Sequence, residues 1–393
     1  MINKKKYYLG IERSAIRELF EYGKKQSEIV GKENVFDFSL GNPSIPSPEE
    51  VNRAICDIIT NGNSLETHGY TSAQGLPAAR TAIANSLNKR FNANAKPDEI
   101  YITCGAAAAL CCVIGSLTID NSTEFIAIAP YFPEYKVFVE QAGAKLSVCK
   151  VDQKSFQIDF FELEKVINKN TSAIIINSPN NPSGRVYSEE TLNELSKLLK
   201  QKSDEYGHTI YIISDEPYRE LVYDNITVPY IPDFYSNTVI CYSYSKSLSL
   251  PGERIGYFYV PSCANESEAL YAAAAGTGRA LGYVCAPSFM QQVIAQCVDV
   301  KPNIEEYKKN RDLLLKELTS YGYECATPDG AFYLFVKAPK GNGAEFSEKA
   351  KQKNVLIVPG DSFGCPEYVR ISYCVSYDTI TRALPYFKEL IEC

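Results

Sequence analysis

The middle of the chain alternates short apolar segments with segments of helical pattern. Five of the apolar segments are rich in Ile, Val, Phe and Tyr and predict β-strands. They are Glu99–Thr103, Glu124–Ala129, Ala173–Asn177, Thr209–Ser214 and Thr238–Tyr242. Most of them are too continuous to have a solvent-exposed face, which is typical of strands covered by helices on both sides. The alternation therefore predicts an α/β fold with a mostly parallel central sheet flanked by helices.

One helix between two of these strands is marked by its first turn and by its apolar face. Ser188 can cap its N-terminus, and Glu189 and Glu190 in the first turn complement the helix dipole. The leucines of the predicted apolar face recur at helical spacing: Leu192, Leu195, Leu198 and Leu199. A helix of this kind between two strands is a repeating unit of an α/β domain.

Both ends of the chain have a different pattern. Residues 1–43 begin with a charged helical segment and end in a turn-rich Gly-Asn-Pro sequence. From about residue 290, a long helical pattern leads to short β-like segments and a closing helix. We therefore predict a large α/β domain at 44–290 and a smaller α+β domain formed by 1–43 together with 291–393.

Composition and charge exclude several classes of protein. The chain of 393 residues has a net charge of -7, which argues against nucleic acid as a partner because phosphate contacts need clustered Lys and Arg. Apolar stretches are too short for a membrane helix, and the N-terminus lacks the pattern of a signal peptide. The 13 cysteines are scattered and form no Cys-x-x-Cys pair. This usage predicts free thiols and a cytoplasmic protein.

Histidine is scarce, which limits the chemistry that the chain can perform. His68 and His208 are the two histidines in the sequence. A zinc site of the Cys/His type or a Ser-His-Asp triad is hard to assemble from them, so we expect no metal. Another side chain must therefore move protons, and a lysine is the candidate.

Small and polar residues follow each predicted strand. Because ligands bind beyond the carboxyl ends of the strands in open α/β sheets, these residues are candidates for a common site. In strand order the segments are Gly105-Ala106-Ala107, Pro130-Tyr131-Phe132-Pro133, SPNNPSG (178–184), Asp215-Glu216-Pro217-Tyr218 and SYSKSLSLPGERIG (243–256). We therefore expect a helix N-terminus, an aromatic ring, an amide, a carboxylate and a lysine to lie at one edge of the sheet.

These segments resemble those of the class I and II aminotransferases, which are fold-type I pyridoxal-phosphate enzymes like aspartate aminotransferase. The resemblance runs from Leu40-Gly41-Asn42-Pro43 to Val369-Arg370-Ile371-Ser372, and the block at 243–256 is its most specific part. It implies pyridoxal 5'-phosphate as cofactor. It also implies ping-pong transfer of an amino group from an L-amino acid to a 2-oxo acid, and a homodimer with shared active sites.

The resemblance assigns the central chemical roles to four residues. It implies that Lys246 forms an aldimine with the cofactor and later shuttles the substrate proton. Asp215 matches the carboxylate that keeps the pyridine nitrogen protonated, so that the ring can accept electrons. Tyr218 and Asn181 match the hydroxyl and the amide that bind the phenolic oxygen of the cofactor.

The resemblance also implies a set of phosphate ligands. They are the backbone N–H groups at the Gly105-Ala106-Ala107 helix start, the side chains of Ser243, Ser245 and Arg254, and Tyr70 from the partner subunit. The family often has a hydroxyl or a lysine at the position of Ala107, so this chain has one side-chain contact fewer. Phe132 resembles the aromatic residue that stacks on the cofactor ring, and Tyr131 and Tyr135 are alternatives for that role.

Substrate recognition is less specified. Arg370 matches the arginine that binds the α-carboxylate, Gly41 resembles a glycine whose backbone approaches the same group, and Asn181 is a further contact. The donor could be aspartate, alanine or an aromatic amino acid. Arg279 lies roughly where some dicarboxylate-specific members carry a partner-subunit arginine, and a surface arginine is an equally good interpretation.

Three other functions are compatible with parts of this pattern. A carbon–sulfur β-lyase of the same fold tends to have histidine where Tyr218 stands, which favours the aminotransferase. A cofactor-dependent transcription regulator would carry a basic helix-turn-helix segment, for which the roughly forty residues before Gly41 offer no room. A non-catalytic relative would not be expected to keep the full set of site residues, which are Lys246, Asp215, Asn181, Tyr218, Arg254 and Arg370.

Overall fold

The computed structural model describes residues 1–11 and 14–392. The strands are β1 Phe36–Asp37, β2 Ile100–Thr103, β3 Glu124–Ile128, β4 Lys145–Cys149, β5 Thr171–Asn177, β6 Tyr211–Asp215, β7 Thr238–Ser243, β8 Gly256–Tyr259, β9 Cys325–Ala326, β10 Tyr333–Lys337, β11 Val355–Leu356, β12 Val358–Pro359 and β13 Tyr368–Ser372. The helices are α1 Lys4–Ile11, α2 Ala15–Val30, α3 Glu49–Asn61, α4 Ser64–His68, α5 Pro77–Phe91, α6 Ala106–Ser116, α7 Glu134–Ala142, α8 Phe160–Val166, α9 Glu189–Tyr206, α10 Ile231–Phe234, α11 Tyr244–Ser247, α12 Ser267–Ala280, α13 Ser288–Cys297, α14 Glu305–Tyr321, α15 Gly343–Gln352 and α16 Tyr377–Leu390.

The central sheet has the strand order β2-β8-β7-β6-β5-β3-β4. The five strands β3 to β7 are all parallel to one another, whereas β8 is antiparallel to both of its neighbours, β2 and β7. The predicted mostly parallel sheet and its five predicted strands are therefore confirmed. The pattern did not predict β4 and β8. Strand β4 lies at the edge of the sheet and is half exposed, and β8 is a four-residue strand that begins at the last residue of the 243–256 block.

A separate four-stranded antiparallel sheet, in the order β12-β13-β10-β9, is formed by the C-terminal part of the chain. Strand β1 pairs with β11, so a segment from the N-terminal part also belongs to this region. The proposed division at residues 43 and 290 stays a prediction, and residues 12, 13 and 393 of its smaller domain lie outside the described part. Helix α13 crosses residue 290 and packs against α5 and α3. No helix in residues 1–11 and 14–392 is long and apolar enough to cross a membrane.

The sheet is covered by amphipathic helices, of which α9 is an example. Ser188 Oγ accepts a hydrogen bond of 3.2 Å from the N–H of Thr191 and so caps the helix as predicted. Leu195 has no exposed surface and belongs to the core around the parallel sheet, whereas Leu198 is half-buried. The helical spacing of the leucines thus identified the buried face of α9. In the structure Leu195 lies at the centre of this face and Leu198 at its margin.

We expect Leu195→Ala to lower the free energy of unfolding by about 2 to 5 kcal/mol, because it removes buried apolar contacts and leaves a cavity. Leu198→Ala is the matched control at the margin of the same face, with an expected loss of about 1 kcal/mol. Urea unfolding monitored by circular dichroism measures both. Equal losses in the two variants would contradict the placement of Leu195 at the centre of the packed face.

Candidate active site

The register of the parallel strands brings the candidate residues together. Asn177 at the end of β5 lies opposite Asp215 at the end of β6, and Asp215 lies opposite Cys241 in β7. The loop after β5 carries Asn181, and the short helix α11 after β7 carries Lys246. Because parallel strands end at the same edge, this edge of the sheet collects the polar groups.

Lys246 lies in α11, directly after β7, and is half-buried. Its Nζ donates a 2.7 Å hydrogen bond to the backbone oxygen of Gly41, which belongs to the N-terminal part of the chain. Burial lowers the pKa of Lys246 to about 8, against the opposing effect of the Cys374 thiol. The positive charges of Arg370 and Arg254 lower it further. With this pKa, roughly a tenth of the Lys246 side chains carry a neutral amine at pH 7, and a nucleophile or a general base requires this form.

Asp215 is buried at the end of β6, with 5% of its surface exposed. The Tyr135 hydroxyl donates a hydrogen bond of 2.6 Å to its Oδ2. Its Oδ1 has no hydrogen-bond partner among the residues that the structure describes. Burial raises the pKa of Asp215 to about 7; the Tyr135 hydrogen bond opposes this rise and the neighbouring Glu216 adds to it. A buried carboxylate with one free oxygen is suited to accept a hydrogen bond from a cationic N–H group.

Asn177 connects two of the candidate segments, a role that the sequence did not predict. Its Nδ2 donates to the backbone oxygen of Asp215 at 2.8 Å, and its Oδ1 accepts from the N–H of Asn181 at 2.7 Å. The side chain therefore fixes the SPNNPSG loop relative to β6. An amide can do this because it both donates and accepts. Its position at the very end of a predicted strand was the available signal.

Arg370 in β13 is 2% exposed and is held by groups from three parts of the chain. Its Nη1 donates to Asn181 Oδ1 at 3.1 Å, and its Nη2 donates to the backbone oxygen of Ser39 at 2.5 Å. The guanidinium lies over the Tyr333 ring, 4.6 Å from its centroid. The Nε group has no partner among the described residues, so this side chain retains donor capacity for an anion.

Tyr333 is a second residue that the sequence did not single out. Its hydroxyl lies 2.9 Å from the hydroxyl of Tyr218, and both tyrosines are buried. A Cβ atom built on Gly41 would lie 1.9 Å from Tyr333 Oη, so a larger residue at position 41 would collide with this hydroxyl. The predicted approach of the Gly41 backbone to the substrate carboxylate stays a prediction. Residues 218 and 333 are too distant in sequence for a local pattern to pair them.

Arg254 lies beside the start of α6, where the sequence predicts a phosphate site. Gly105, the N-cap residue, has a φ of +85°, a conformation that favours glycine, and Ala106 begins the helix. Arg254 is exposed, and its Nη2 donates to the backbone oxygen of Cys104 at 3.3 Å. No ion pair with a carboxylate of the described residues engages Arg254. Its charge therefore remains available beside the free N–H groups of the α6 N-terminus, including Ala107.

The two serines predicted for the same phosphate site lie on either side of Tyr244. The Oγ atoms of Ser243 and Ser245 are 2.8 Å apart, and Ser243 Oγ accepts from the N–H of Ser245 at 3.2 Å. This arrangement starts the short helix α11 that carries Lys246. The serines thus bring hydroxyl groups and the lysine into one local structure.

The remaining aromatic candidates differ in their surroundings. Tyr135 uses its hydroxyl for Asp215, and Tyr131 is buried against Gly364. Phe132 is half-buried, with its ring perpendicular to that of Tyr135 at a centroid distance of 5.7 Å. Tyr70 is 92% exposed, far more than the other candidates. Within one chain it is not packed into the site.

These residues fit pyridoxal phosphate. The free Oδ1 of Asp215 suits the protonated ring nitrogen, and Lys246 suits the aldehyde carbon. The α6 N-terminus and the Arg254 guanidinium, which has no ion pair within the described part of the chain, suit a phosphate group. A Cβ on Gly105 would lie 3.0 Å from Arg254 Nη2, so glycine keeps this cradle open.

Comparisons with known proteins agree with this geometry. The family model described as "Aminotransferase class I and II" matches residues 33–387. The crystal structure of an amino transferase from Eubacterium rectale is 56% identical, with a TM-score of 0.98, and covers 100% of this chain and 98% of that chain. The structure of an aspartate aminotransferase from Thermotoga maritima is 29% identical, with a TM-score of 0.87 and 98% coverage of both chains.

A relative identified by its sequence is also an aminotransferase. The probable aspartate aminotransferase of Methanocaldococcus jannaschii is 31% identical over 392 residues, which span 98% of both chains. The names of these proteins describe aminotransferases, so the β-lyase alternative is not favoured. The chain therefore belongs to the aminotransferase class I and II family and is a pyridoxal-phosphate-dependent enzyme of fold-type I that transfers amino groups between amino acids and 2-oxo acids.

Proposed function

We propose that Lys246, Asp215 and Arg370 are the central residues of the transamination and that aspartate is the first candidate for the amino donor. The observation that carries the assignment is the convergence of three groups in one site. They are a lysine whose pKa is lowered to about 8, a buried carboxylate with a free oxygen and a buried arginine with a free Nε. Each group has the property that its proposed partner requires.

Lys246 is proposed to bind the cofactor and to move the proton between the substrate Cα and the cofactor C4′. A group with a pKa near the working pH can both accept and return a proton. When bound, pyridoxal phosphate supplies the electron sink that makes the Cα proton removable. Asp215 holds the ring nitrogen in its protonated form, and Tyr218 and Asn181 donate hydrogen bonds to the phenolic oxygen.

The phosphate and the ring face have their own proposed ligands. The N–H groups at the Gly105-Ala106-Ala107 helix start, the hydroxyls of Ser243 and Ser245, and the Arg254 guanidinium bind the phosphate. Phe132 stacks on the ring, because the hydroxyl of Tyr135 is engaged by Asp215 and Tyr131 packs against Gly364. The engagement of the two tyrosines supports the choice of Phe132.

The substrate carboxylate is assigned to Arg370, with Gly41 and Asn181 beside it. The hydrogen bonds from Arg370 to Asn181 and Ser39 fix the guanidinium before substrate arrives, so less entropy is lost on binding. The names of the relatives support aspartate as donor, and 2-oxoglutarate is the acceptor expected by analogy. Alanine and aromatic amino acids remain candidates, the latter because Tyr218 and Tyr333 line the site.

The homodimer with shared sites and the cytoplasmic location are also part of the proposal. Tyr70 is almost fully exposed, which is what a residue that serves the partner subunit would show in a single chain. Arg279, exposed in the last turn of α12, is the candidate partner-subunit group for a second substrate carboxylate. The scattered free cysteines support a reducing compartment.

We expect Lys246→Ala to abolish transamination without loss of the fold, because no other amine replaces the one that binds the cofactor and moves the proton. Product formation from aspartate and 2-oxoglutarate measures the activity, and circular dichroism measures the fold. Lys200→Ala, at an exposed position of α9, is the control and should retain activity. Full turnover by Lys246→Ala would contradict the assignment.

Arg370→Ala should raise KM by about 10- to 100-fold for every amino donor, because it removes a charge-assisted contact to a group that all of them share. Steady-state kinetics of the wild type and the variant with aspartate, alanine and tyrosine test this, and the wild-type kcat/KM values identify the preferred donor. Arg53→Ala, at an exposed arginine of α3, is the control. A change confined to one donor would assign Arg370 to that side chain instead of the α-carboxylate.

A shared active site predicts complementation between two inactive or weakened variants. When Lys246→Ala and Tyr70→Ala chains are mixed and reassembled, each mixed dimer should contain one site with both native residues. We expect about a quarter of wild-type activity in an equal mixture, well above the mean of the two parent proteins. Activity that stays at the parental mean, in samples shown to contain mixed dimers, would exclude a contribution of Tyr70 across the interface.

A further inference from the structure

A buried ion pair follows Asp215 directly in the chain. Glu216 is 2% exposed and Arg219 is 5% exposed. Arg219 donates to both carboxylate oxygens of Glu216, from Nε at 2.5 Å and from Nη2 at 2.7 Å. Ser214 Oγ also donates to Glu216, at 2.7 Å. Glu216 is therefore held as a carboxylate in a bidentate pair, one residue after Asp215.

Arg219 is itself fixed by the loop that follows it. Its Nη1 donates to the backbone oxygen of Val228 at 3.1 Å, and its Nη2 donates to that of Pro229 at 3.2 Å. The guanidinium also lies over the Phe91 ring, 5.1 Å from the centroid. These contacts use most of the donors of a planar fork, so the position of its charge is rigid.

Two buried carboxylates on successive residues oppose each other, because each like charge favours the protonated form of its neighbour. The proposed role of Asp215 requires the ionised form, which alone can stabilise a protonated ring nitrogen. We propose that Arg219 is a positioning residue of the transamination: its bidentate pair with Glu216 offsets part of the like charge beside Asp215 and so favours the ionised form of Asp215 that the cofactor needs. This inference rests on the proposed pairing of Asp215 with the ring nitrogen.

The other titratable groups that face Asp215 cannot replace this effect. Tyr135, from α7, donates a hydrogen bond to the carboxylate. Cys241, opposite Asp215 in β7, and Tyr218 are both buried, and burial raises the pKa of each well above its ordinary value, so both are neutral. Of the neighbours of Asp215 named here, Glu216 is the one with a carboxylate, and its charge contributes to the raised pKa of Asp215.

The test is the pH dependence of cofactor binding to the apoprotein, measured as the dissociation constant of pyridoxal phosphate in absorbance titrations. Arg219→Met should move the midpoint upward by about one pH unit and weaken binding at pH 7 roughly fivefold, because Glu216 then acts on Asp215 unopposed. Arg219→Lys keeps the charge and should remain near the wild type. In Glu216→Gln/Arg219→Met both charges are absent, and the midpoint should return toward the wild-type value.

Glu216→Gln alone keeps the inference testable if Arg219→Met does not fold. It leaves the positive charge of Arg219 near Asp215, so the midpoint should move to lower pH. Arg311→Met is the matched control, because Arg311 is a buried arginine whose described hydrogen bonds go to Asp224, Asp312 and Pro328. It should lower thermal stability and leave the midpoint unchanged.

Asp215→Asn separates the failure of this inference from the failure of the proposed function. If Asp215→Asn binds the cofactor with the wild-type pH dependence, the pairing of Asp215 with the ring nitrogen is wrong. A different result would overturn the role of Arg219 and leave the proposed function intact. In that case Asp215→Asn removes the pH dependence, but Arg219→Met and Glu216→Gln both keep the wild-type midpoint. An equal effect of Arg219→Met in the presence of Asp215→Asn would also overturn it, since the effect would not pass through Asp215.

Discussion

Removal of water from one edge of the central sheet is the constraint on which the rest of the site depends. Burial shifts the pKa of Lys246, Asp215 and Arg370 toward the neutral form of each group. For lysine this shift creates the neutral amine that the chemistry uses. For the carboxylate and the guanidinium it is a cost, because these groups act as ions. The same low dielectric strengthens their attraction to a bound ion of opposite charge.

The fold offsets this cost with hydrogen bonds that come from distant parts of the chain. Backbone oxygens of Ser39 and Gly41, from the N-terminal part, accept from Arg370 and Lys246. The pairing of β1 with β11 and the bond from the Ser372 N–H to the Phe38 oxygen hold this N-terminal segment against the small sheet. The site is therefore built where the two sheets and the N-terminal segment meet. Lys246 follows a strand of the central sheet, Arg370 lies in the small sheet, and the N-terminal segment supplies a backbone acceptor to each.

Most of the fold and the motif residues could be predicted from the sequence, because both are encoded locally. Buried parallel strands are continuous apolar segments, and the residues after them belong to contiguous motifs. What was missed depends on contacts between distant residues: the pairing of Tyr218 with Tyr333, and the donation from Tyr135 to Asp215. Tyr135 was considered for a stacking role, since an aromatic ring beside Phe132 gives no local sign that its hydroxyl has a buried acceptor.

The raised pKa of Asp215 also links cofactor binding to stability. The pKa of this group rises from its ordinary value of 3.8 to about 7 in the folded protein, so between these values the folded state binds the proton that the unfolded state has lost. Its contribution to stability therefore falls as pH increases through this window, and above pH 7 it is an ionised group whose burial opposes folding. A cationic N–H group bound at Oδ1 makes this contribution to stability favourable, because it stabilises the Asp215 carboxylate in the folded state alone. The ionised form of Asp215 thus lowers the stability of the apoprotein, and the same form provides the carboxylate that binds the cofactor.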